Sequence, residues 1–315
     1  MNFERLGQYK YRIPREGKME VDAAFYASEK ILEDLEAEDY ASLRQLRNVA
    51  TLPGIIEPAL TMPDIHWGYG FPIGGVAAFD PQSGVVSPGG VGFDVNCGVR
   101  LLTSEIDREE LERHKSSLAD ALFRAIPSGV GKGREDFRLS REELREVLLE
   151  GPAPLVERGF GEAEDLEHTE SGGRLAGADA GAVSGRAYER GISQLGTLGS
   201  GNHFLEVQYV DEVYDEEAAG AFGLREGGIT VLIHSGSRGL GHQVCQEYVE
   251  RFLEAAPRYG IELVDRQLAA APIESPEGEA YLKAMSAAAN FAFANRQLIA
   301  HFTREAFASV GLDSE

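Results

Sequence analysis

Several residue types are scarce in this sequence, and each scarcity excludes a class of protein. Cysteine occurs only at positions 97 and 245, which excludes the disulfide framework that stabilises many small secreted domains. No apolar run approaches the roughly 20 residues that cross a bilayer. No basic-then-apolar signal opens the chain either. We therefore expect a soluble, cytoplasmic protein with no membrane partner.

Lysine is also scarce, whereas acidic residues are abundant. The 315 residues include 52 acidic and 30 basic side chains, for a formal net charge of -22, and lysine occurs only at positions 10, 18, 30, 115, 132 and 283. Such a surface repels itself until salt shortens the Debye length to about 3 Å near 1 M, so the composition indicates a halophile. This charge also argues against a nucleic-acid partner, unless arginines gather in one cleft.

Local patterns predict a mixed α/β (α+β) fold with central mixed sheets flanked by helices. Helical apolar spacing predicts a helix over 21–35, capping boxes begin at Asp107 and Ser140, and Ser275 with Pro276 begins a long helix that ends near Ser309. Short apolar runs cut by glycine and proline predict strands over 55–60, 75–79, 99–106, 203–210 and 229–234. Strands and helices do not alternate regularly, which argues against a barrel or a doubly wound sheet.

The sequence gives no clear internal domain boundary. We therefore expect residues 1–315 to form a single domain. The acidic, glycine-rich stretch over 159–182 is predicted to be an exposed, mobile loop within it.

Asp94 and Cys97 lie three residues apart in a glycine-rich turn that leads into an apolar run. Glycines permit the close backbone approach of a compact site, and an Asp-x-x-Cys pair could hold one cation. Two simpler interpretations remain open, because such a cysteine is often a small buried apolar residue and such an aspartate often belongs to a turn. A metal site needs further converging groups.

Two histidines supply those groups, because each lies at a strand end beside a glycine turn. His203 follows Gly-Ser-Gly-Asn at the start of one predicted strand, and His234 ends another. With Asp94 and Cys97 they form a set of oxygen, sulfur and two nitrogen ligands, which does not by itself select a metal. A closed structural zinc site and a two-metal site for phosphoryl transfer both remain open.

Other residues beside these histidines suggest phosphate and nucleotide binding. Arg238 lies in a Ser-Gly-Ser-Arg-Gly turn before a predicted helix, where free backbone N–H groups favour an anion, and Arg190 could supply a second contact. Asn202 and Glu206 flank Phe204 on one strand and could contact the edge and face of a base. Core packing is the simpler interpretation for Phe204.

Five segments together resemble the RtcB RNA ligases. They are MPDIHWGYGFPIGG (62–75), DVNCGVR (94–100), LGSGNHFLE (198–206), HSGSRG (234–239) and AAANFAFANR (287–296). Because they are spread along the whole chain, the joint pattern is highly specific. The resemblance implies a GTP- and Mn²⁺-dependent enzyme that joins RNA ends bearing a 2′,3′-cyclic phosphate or 3′-phosphate to a 5′-hydroxyl, as in tRNA splicing and RNA repair.

The resemblance also implies roles for individual residues, carried over by position. Asp94, Cys97 and His203 would hold one Mn²⁺, and Cys97 with His234 the second. The implied GTP contacts are Asn202, His203, Phe204, Leu205 and Glu206, with Asp64 in support, and the implied RNA phosphate contacts are Arg190 and Arg238. Archease is the implied activating partner.

One departure from the family concerns the later part of the sequence. In the RtcB ligases, the guanylylated histidine and another histidine ligand follow the long helix, whereas no histidine follows His301 here. We therefore expect the chain to be the N-terminal portion of such an enzyme, with the C-terminal portion as a partner. On that expectation, this chain alone binds Mn²⁺ but does not become guanylylated.

Two other classes of function remain open. One is a metal- and RNA-binding subunit of a split ligase. The other is a metal-dependent phosphoesterase that uses Asp94, Cys97, His203 and His234 with a bound water as nucleophile.

Overall fold

The computed structural model of the protein describes residues 1–312. The strands are β1 (Glu4–Arg5), β2 (Lys10–Ile13), β3 (Ala23–Tyr26), β4 (Ile55–His66), β5 (Ile73–Phe79), β6 (Val85–Val86), β7 (Gly98–Asp107), β8 (Phe204–Tyr209), β9 (Gly228–Ser235) and β10 (Ala271–Pro272). The helices are α1 (Glu29–Ala37), α2 (Ala41–Val49), α3 (Pro88–Val91), α4 (Arg108–Ala125), α5 (Arg141–Glu150), α6 (Ala153–Glu157), α7 (Ala163–Glu167), α8 (Gly185–Gly191), α9 (Glu216–Ala221), α10 (Arg238–Ala255) and α11 (Pro276–Ser309). The predicted mixed α/β fold is confirmed.

The chain divides into two compact units, and the first comprises Met1–Phe93 with Cys245–Leu282. Its main sheet has the order β1-β2-β3-β4-β5, in which β3 and β4 are parallel and the other neighbours antiparallel. The apolar side of α2 packs into the core of this unit, where Leu43 and Leu46 are buried with Phe25 of β3. The opposite side of α2 is polar, as expected for an amphipathic helix.

The second unit comprises Asp94–Val244 with Lys283–Glu315. Its sheet has the order β7-β9-β8, and the central strand β9 is antiparallel to both neighbours. The part of α11 in this unit is buried on all sides over residues 286–300. Polar side chains on such a helix need hydrogen-bond partners within the protein, and those partners include the loops at the end of the sheet.

Most of the predicted elements are confirmed. All five predicted strands are present, and the long helix covers Pro276–Ser309. Asp107 caps α4 by accepting a hydrogen bond from the backbone N–H of Glu110, which is one half of the predicted capping box. Ser140 forms the predicted capping box with Glu143 at the start of α5.

The helix predicted over 21–35 is wrong in its first part. Ala23–Tyr26 form β3, and α1 begins only at Glu29, after its N-cap Ser28. Because β3 lies between β2 and β4 and is buried, its apolar residues are consecutive rather than alternating, and such a short run does not distinguish a strand from a helix.

The segment over 159–182 contains more regular structure than the predicted loop. It includes α7 and 3-10 helices at Glu170–Gly173 and Ala180–Ala182, and Asp165 in α7 is buried. Its mobility stays a prediction. Within residues 1–312, no helix combines the length and apolar character that crossing a bilayer requires.

Candidate metal centre

The three-stranded sheet of the second unit brings three of the predicted ligands to one end. Cys97 directly precedes β7, His203 directly precedes β8, and His234 lies at the end of β9. Because β9 is antiparallel to both neighbours, the starts of β7 and β8 meet its end, with Val99 and Phe204 in register with His234. We call this end of the sheet, together with Asp94, the metal edge.

The ligand atoms at the metal edge lie within a few ångströms of one another. Cys97 Sγ is 3.1 Å from His234 Nε2 and 3.3 Å from His203 Nε2, and His203 Nε2 is 2.6 Å from Asp94 Oδ2. Asp94, Cys97 and His203 each offer an atom within 4.8 Å of the others. The structure therefore brings together all four predicted ligands, which come from three separate segments of the chain.

The hydrogen bonds of His203 leave a nitrogen lone pair in this cluster. Its Nδ1–H donates to the carbonyl oxygen of Leu198 at 3.0 Å, because a carbonyl can only accept. In the neutral imidazole, Nε2 therefore carries a lone pair and faces the anionic Oδ2 of Asp94. Only a second proton or a cation makes that contact favourable. A carbonyl partner for the distal ring nitrogen is also the usual support of a metal-binding histidine.

Hydrogen bonds also orient Asp94, so that one of its carboxylate oxygens faces the cluster. Its Oδ1 accepts hydrogen bonds from the backbone N–H of Arg238 at 3.1 Å and from the Ser237 hydroxyl at 3.3 Å. Its Oδ2 is buried and, while His203 is neutral, has no hydrogen-bond donor among the described residues. A Cβ on Gly236 would lie 2.5 Å from Oδ2, so the carboxylate occupies space that only glycine leaves free. A buried, unsatisfied carboxylate oxygen beside a thiol and two imidazoles fits a divalent cation.

The protonation states at the metal edge favour the same conclusion. Burial, followed by the charge of Asp94, raises the pKa of the Cys97 thiol to about 12. Burial and the charge of His203 lower the pKa of His234. Burial acts to raise the pKa of Asp94, but the hydrogen bond and the positive charge that a protonated His203 supplies outweigh this, and the pKa is lowered. A bound cation would take the place of the thiol proton.

Two buried residues of α11 hold the metal edge together, and the sequence did not identify them as part of the site. The Asn295 side chain accepts from the backbone N–H of Gly196 at 2.8 Å and donates to Gly236 O at 3.2 Å. Arg296 donates to Asn96 O at 2.7 Å and to Ser235 O at 2.8 Å. Both lie in the segment 287–296, one of the five that resemble the RtcB ligases, and that resemblance was the sequence signal that could have identified them.

The predicted nucleotide residues divide between the two faces of β8. The Phe204 ring lies 5.3 Å from the His234 ring, between centroids, and Asn202 Nδ2 lies 4.0 Å from Cys97 Sγ. Glu206 shares the Phe204 face, because side chains alternate along a strand. Leu205 instead lines an apolar groove of about 380 Å³ beside α4. A nucleotide contact from Leu205 would have to use its backbone, and all these roles stay predictions.

The side chains of the two predicted phosphate-binding arginines lie near the start of α10. Arg238 is its first residue, with a left-handed φ of 55°, and a Cβ on Gly199 would overlap its guanidinium. Arg190 of α8 lies beside Gly239, and its Nη1 donates to Gln243 Oε1 at 3.0 Å. This grouping fits an anion at a helix N-terminus, although the role of both arginines stays a prediction.

Asp64 does not belong to the second unit. It is an exposed residue of β4 in the first unit, and a Cβ on Gly74 would overlap its carboxylate. Its support of a nucleotide therefore stays a prediction.

Comparisons with known proteins show which family the chain belongs to. A family model described as "tRNA-splicing ligase RtcB" matches residues 45–315. The "tRNA-splicing ligase RtcB" of Archaeoglobus fulgidus is 54% identical, over 98% of this chain and 65% of that protein. The protein of the same name from Thermococcus kodakarensis is 50% identical, over 98% of this chain and 63% of that protein. The "RNA-splicing ligase RtcB" of Mycobacterium tuberculosis is 58% identical, over 84% and 62%. The chain thus spans less than two thirds of the length of these relatives, and it belongs to the RtcB family.

Proposed function

We propose that this chain carries the metal centre of an RNA ligase that uses GTP and Mn²⁺ to join 2′,3′-cyclic phosphate or 3′-phosphate ends to 5′-hydroxyl ends. The names of its relatives support splicing of tRNA as one setting, and RNA repair is a second. The observation that carries the proposal is the meeting of Asp94, Cys97, His203 and His234 at one end of the sheet. A cytoplasmic, high-salt setting and an archease-type activator belong to the same proposal.

The ligand set suits two neighbouring cations. Asp94, Cys97 and His203 would hold one, and Cys97 with His234 would contribute to the other. When bound, divalent ions would neutralise charge on phosphoryl oxygens and align the reacting groups. Cys97 reaches solvent, as a site that admits a substrate requires.

The remaining residues position the RNA and the nucleotide. Arg238 and Arg190 place two guanidinium groups at the start of α10, where backbone N–H groups also favour phosphate. Phe204 offers a ring face for a base, and Asn202 and Glu206 offer an amide and a carboxylate for its polar edge. Asp64 would support the nucleotide.

Mn²⁺ binding tests the metal centre directly. We expect calorimetry or electron paramagnetic resonance to show that the wild-type chain binds Mn²⁺. Cys97→Ala and His234→Ala should each weaken binding by about 100-fold, since loss of a supporting residue alone costs 10- to 100-fold. His168→Ala is the matched control, because His168 is an exposed histidine outside the cluster. Unchanged Mn²⁺ affinity in both site variants would contradict the proposal.

RNA assays separate the ligase from its alternatives. Oligonucleotides with a 2′,3′-cyclic phosphate and a 5′-hydroxyl are incubated with the chain, GTP and Mn²⁺, with and without a C-terminal fragment of a relative. Ligation in either mixture supports the proposal. Cyclic phosphate hydrolysis without GTP would instead support a phosphoesterase. Metal and RNA binding without any reaction in either mixture would support a binding subunit.

A further inference from the structure

The first unit contains a cavity that lies outside the metal edge and has no role in the proposed chemistry. Its volume is about 390 Å³, within the range of roughly 300–1,000 Å³ that small-ligand sites occupy. Residues 16–19, the polar side of α2, Trp67 and residues 264–265 form its walls, and all of them belong to the first unit. We call it the Trp67 cavity.

The helical wall of the Trp67 cavity follows from the spacing of α2. Arg44 and Asn48 are separated by four residues, which places them on one side of the helix, and Thr51 lines the cavity just beyond the helix end. Leu43 and Leu46 point to the opposite side and are buried in the core. The packing of α2 therefore directs a row of polar side chains into the cavity.

Trp67, the single tryptophan of the chain, forms the aromatic wall. Its side chain is unusually accessible for so large an apolar group, since the residue is 58% exposed. The next residue is fixed by Gln45, whose amide donates to Gly68 O at 2.8 Å and accepts from Gly68 N–H at 2.9 Å. Gln45 is 2% exposed, so α2 holds the loop that carries the indole in place.

Two cations of the Trp67 cavity, Lys18 and Arg44, form ion pairs that face solvent. Lys18 pairs with Glu262 at 3.1 Å and Arg44 pairs with Asp39 at 2.8 Å, and all four side chains are 48–88% exposed. Exposed pairs of this kind contribute about 0–1 kcal/mol, so a phosphate could displace them. Asn48 has no side-chain hydrogen bond among the described residues, which leaves its amide free to contact a base edge.

The acidic residues of the cavity wall are already engaged. Glu16 accepts a hydrogen bond from Arg47, and Asp265 accepts one from the backbone N–H of Gln267 at 2.9 Å. They therefore oppose an entering anion less than free carboxylates would.

From this combination we infer that the Trp67 cavity binds an unpaired nucleotide within a single strand of RNA. The base stacks on Trp67, Asn48 contacts its edge, and Lys18 and Arg44 contact the adjoining phosphate. An exposed aromatic ring beside cations is the usual arrangement for single-stranded nucleic acids. The assignment of the strand as RNA depends on the proposed function, whereas the ring-and-anion chemistry follows from the cavity itself.

Indole fluorescence tests this inference, because Trp67 is its only source. The full chain is titrated with a single-stranded RNA oligonucleotide that carries hydroxyl groups at both ends, in the presence of EDTA. These conditions remove reactive ends and divalent ions, so the proposed ligation chemistry cannot contribute. We expect saturable quenching of the indole.

Variants connect the quenching to the cavity. By anisotropy of labelled RNA, Trp67→Ala should weaken binding by about 10-fold or more, the usual cost of one lost stacking contact. Trp67→Phe keeps a ring and should stay close to wild type, whereas Arg44→Gln should weaken binding several-fold. Tyr214→Ala and Arg124→Gln remove an exposed ring and an exposed cation of the second unit and should change nothing.

The possible outcomes separate this inference from the proposed function. Quenching that persists in Cys97→Ala, even if ligation is never observed, supports the cavity. Ligation without quenching, or Trp67→Ala binding RNA like wild type, would overturn it. A mononucleotide or a duplex that binds as tightly as the single strand would overturn the assignment to an unpaired nucleotide within a strand.

Discussion

The metal edge and the Trp67 cavity use polar side chains in opposite ways. At the metal edge, Asn295 and Arg296 are nearly inaccessible and every bond they make fixes a loop that carries a ligand. At the Trp67 cavity, Lys18 and Arg44 pair with acids in water. A buried group left unpaired costs about 1–3 kcal/mol, whereas an exposed pair contributes about 0–1 kcal/mol. We therefore expect the metal edge to keep its geometry before any ligand binds, and the side chains of the cavity to rearrange around one.

The largest effect is expected from Asn295→Ala. This change leaves the backbone N–H of Gly196 and the carbonyl of Gly236 unpaired in the core, so the free energy of unfolding should fall by about 3 kcal/mol, as measured in urea. Because both loops adjoin ligands, Mn²⁺ affinity should fall by about 100-fold, at the upper end of the cost of a lost supporting residue.

Asn290→Ala is the matched control for that comparison. Asn290 is equally buried on the same helix but bonds Leu148 O and the backbone N–H of Leu175, away from the ligands. It should lose similar stability and retain Mn²⁺ affinity. Equal loss of Mn²⁺ affinity in both variants would show that general destabilisation, and not support of the metal edge, explains the effect.

A second buried interaction of the second unit gives a pH-dependent prediction. Asp165 accepts from Arg304 at 2.7 Å and from Gln297 at 2.7 Å, and although burial opposes ionisation, these bonds hold its pKa well below the usual value. A lowered folded-state pKa stabilises the fold above the unfolded pKa of about 3.9, and this contribution is lost as the pH falls below that value.

Asp165→Asn should therefore lower the free energy of unfolding by about 2 kcal/mol near neutral pH, a discounted value because Arg304 is partly exposed. The difference from wild type should shrink below about pH 4. Urea unfolding of wild type and variant, near neutral pH and below about pH 4, measures this difference in the free energy of unfolding. A difference that does not change with pH would show that lost packing, and not charge, is responsible.

An intermediate effect is expected from Gly236→Ala. The new Cβ would lie 2.5 Å from Asp94 Oδ2, so the carboxylate has to move and Mn²⁺ affinity should fall by about 10-fold. Overpacking should also lower the free energy of unfolding by about 1–3 kcal/mol. Gly220→Ala is the control, because a Cβ there meets nothing within 4 Å. Calorimetric titration of both variants would disprove the steric explanation if their Mn²⁺ affinities matched.

The smallest effect is expected at the Trp67 cavity. Asp39→Asn removes the exposed partner of Arg44 and keeps a residue that tolerates the left-handed φ of 52° at this position. The free energy of unfolding should change by less than about 0.5 kcal/mol. RNA binding should tighten by about twofold, because one negative charge is removed beside the proposed phosphate contact. A loss of stability above 1 kcal/mol would contradict the description of these pairs as weak.

The sequence predicted the ligands of the metal edge because their signals are local. Cys97, His203 and His234 each adjoin a glycine turn and an apolar strand, and an antiparallel sheet brings such ends together without further information. The alternation of β8 also placed Leu205 on the other face, which period-2 reasoning could have anticipated.

The support of the metal edge could not be predicted in this way. Arg296 contacts Asn96, which is 200 residues earlier in the chain, and an arginine in a long helix is usually a solvated residue. Arg296 has a structural role because α11 is buried there and its guanidinium bonds backbone carbonyls inside the protein. The helix prediction over Ala23–Tyr26 was wrong for a related reason. This strand is buried within the sheet, so its sequence lacks the alternation that identifies a strand.

Because β7, β9 and β8 are antiparallel, the two ends of this sheet differ in how well they tolerate insertions and deletions. An insertion or deletion near Gly98, Phe204 or His234 would shift the register by one residue and turn a ligand to the wrong face. At the far end, residues 210–227 connect β8 to β9 without carrying a ligand. Affinity tags, fluorescent labels or whole inserted domains belong in that connection, where they leave the chemistry undisturbed.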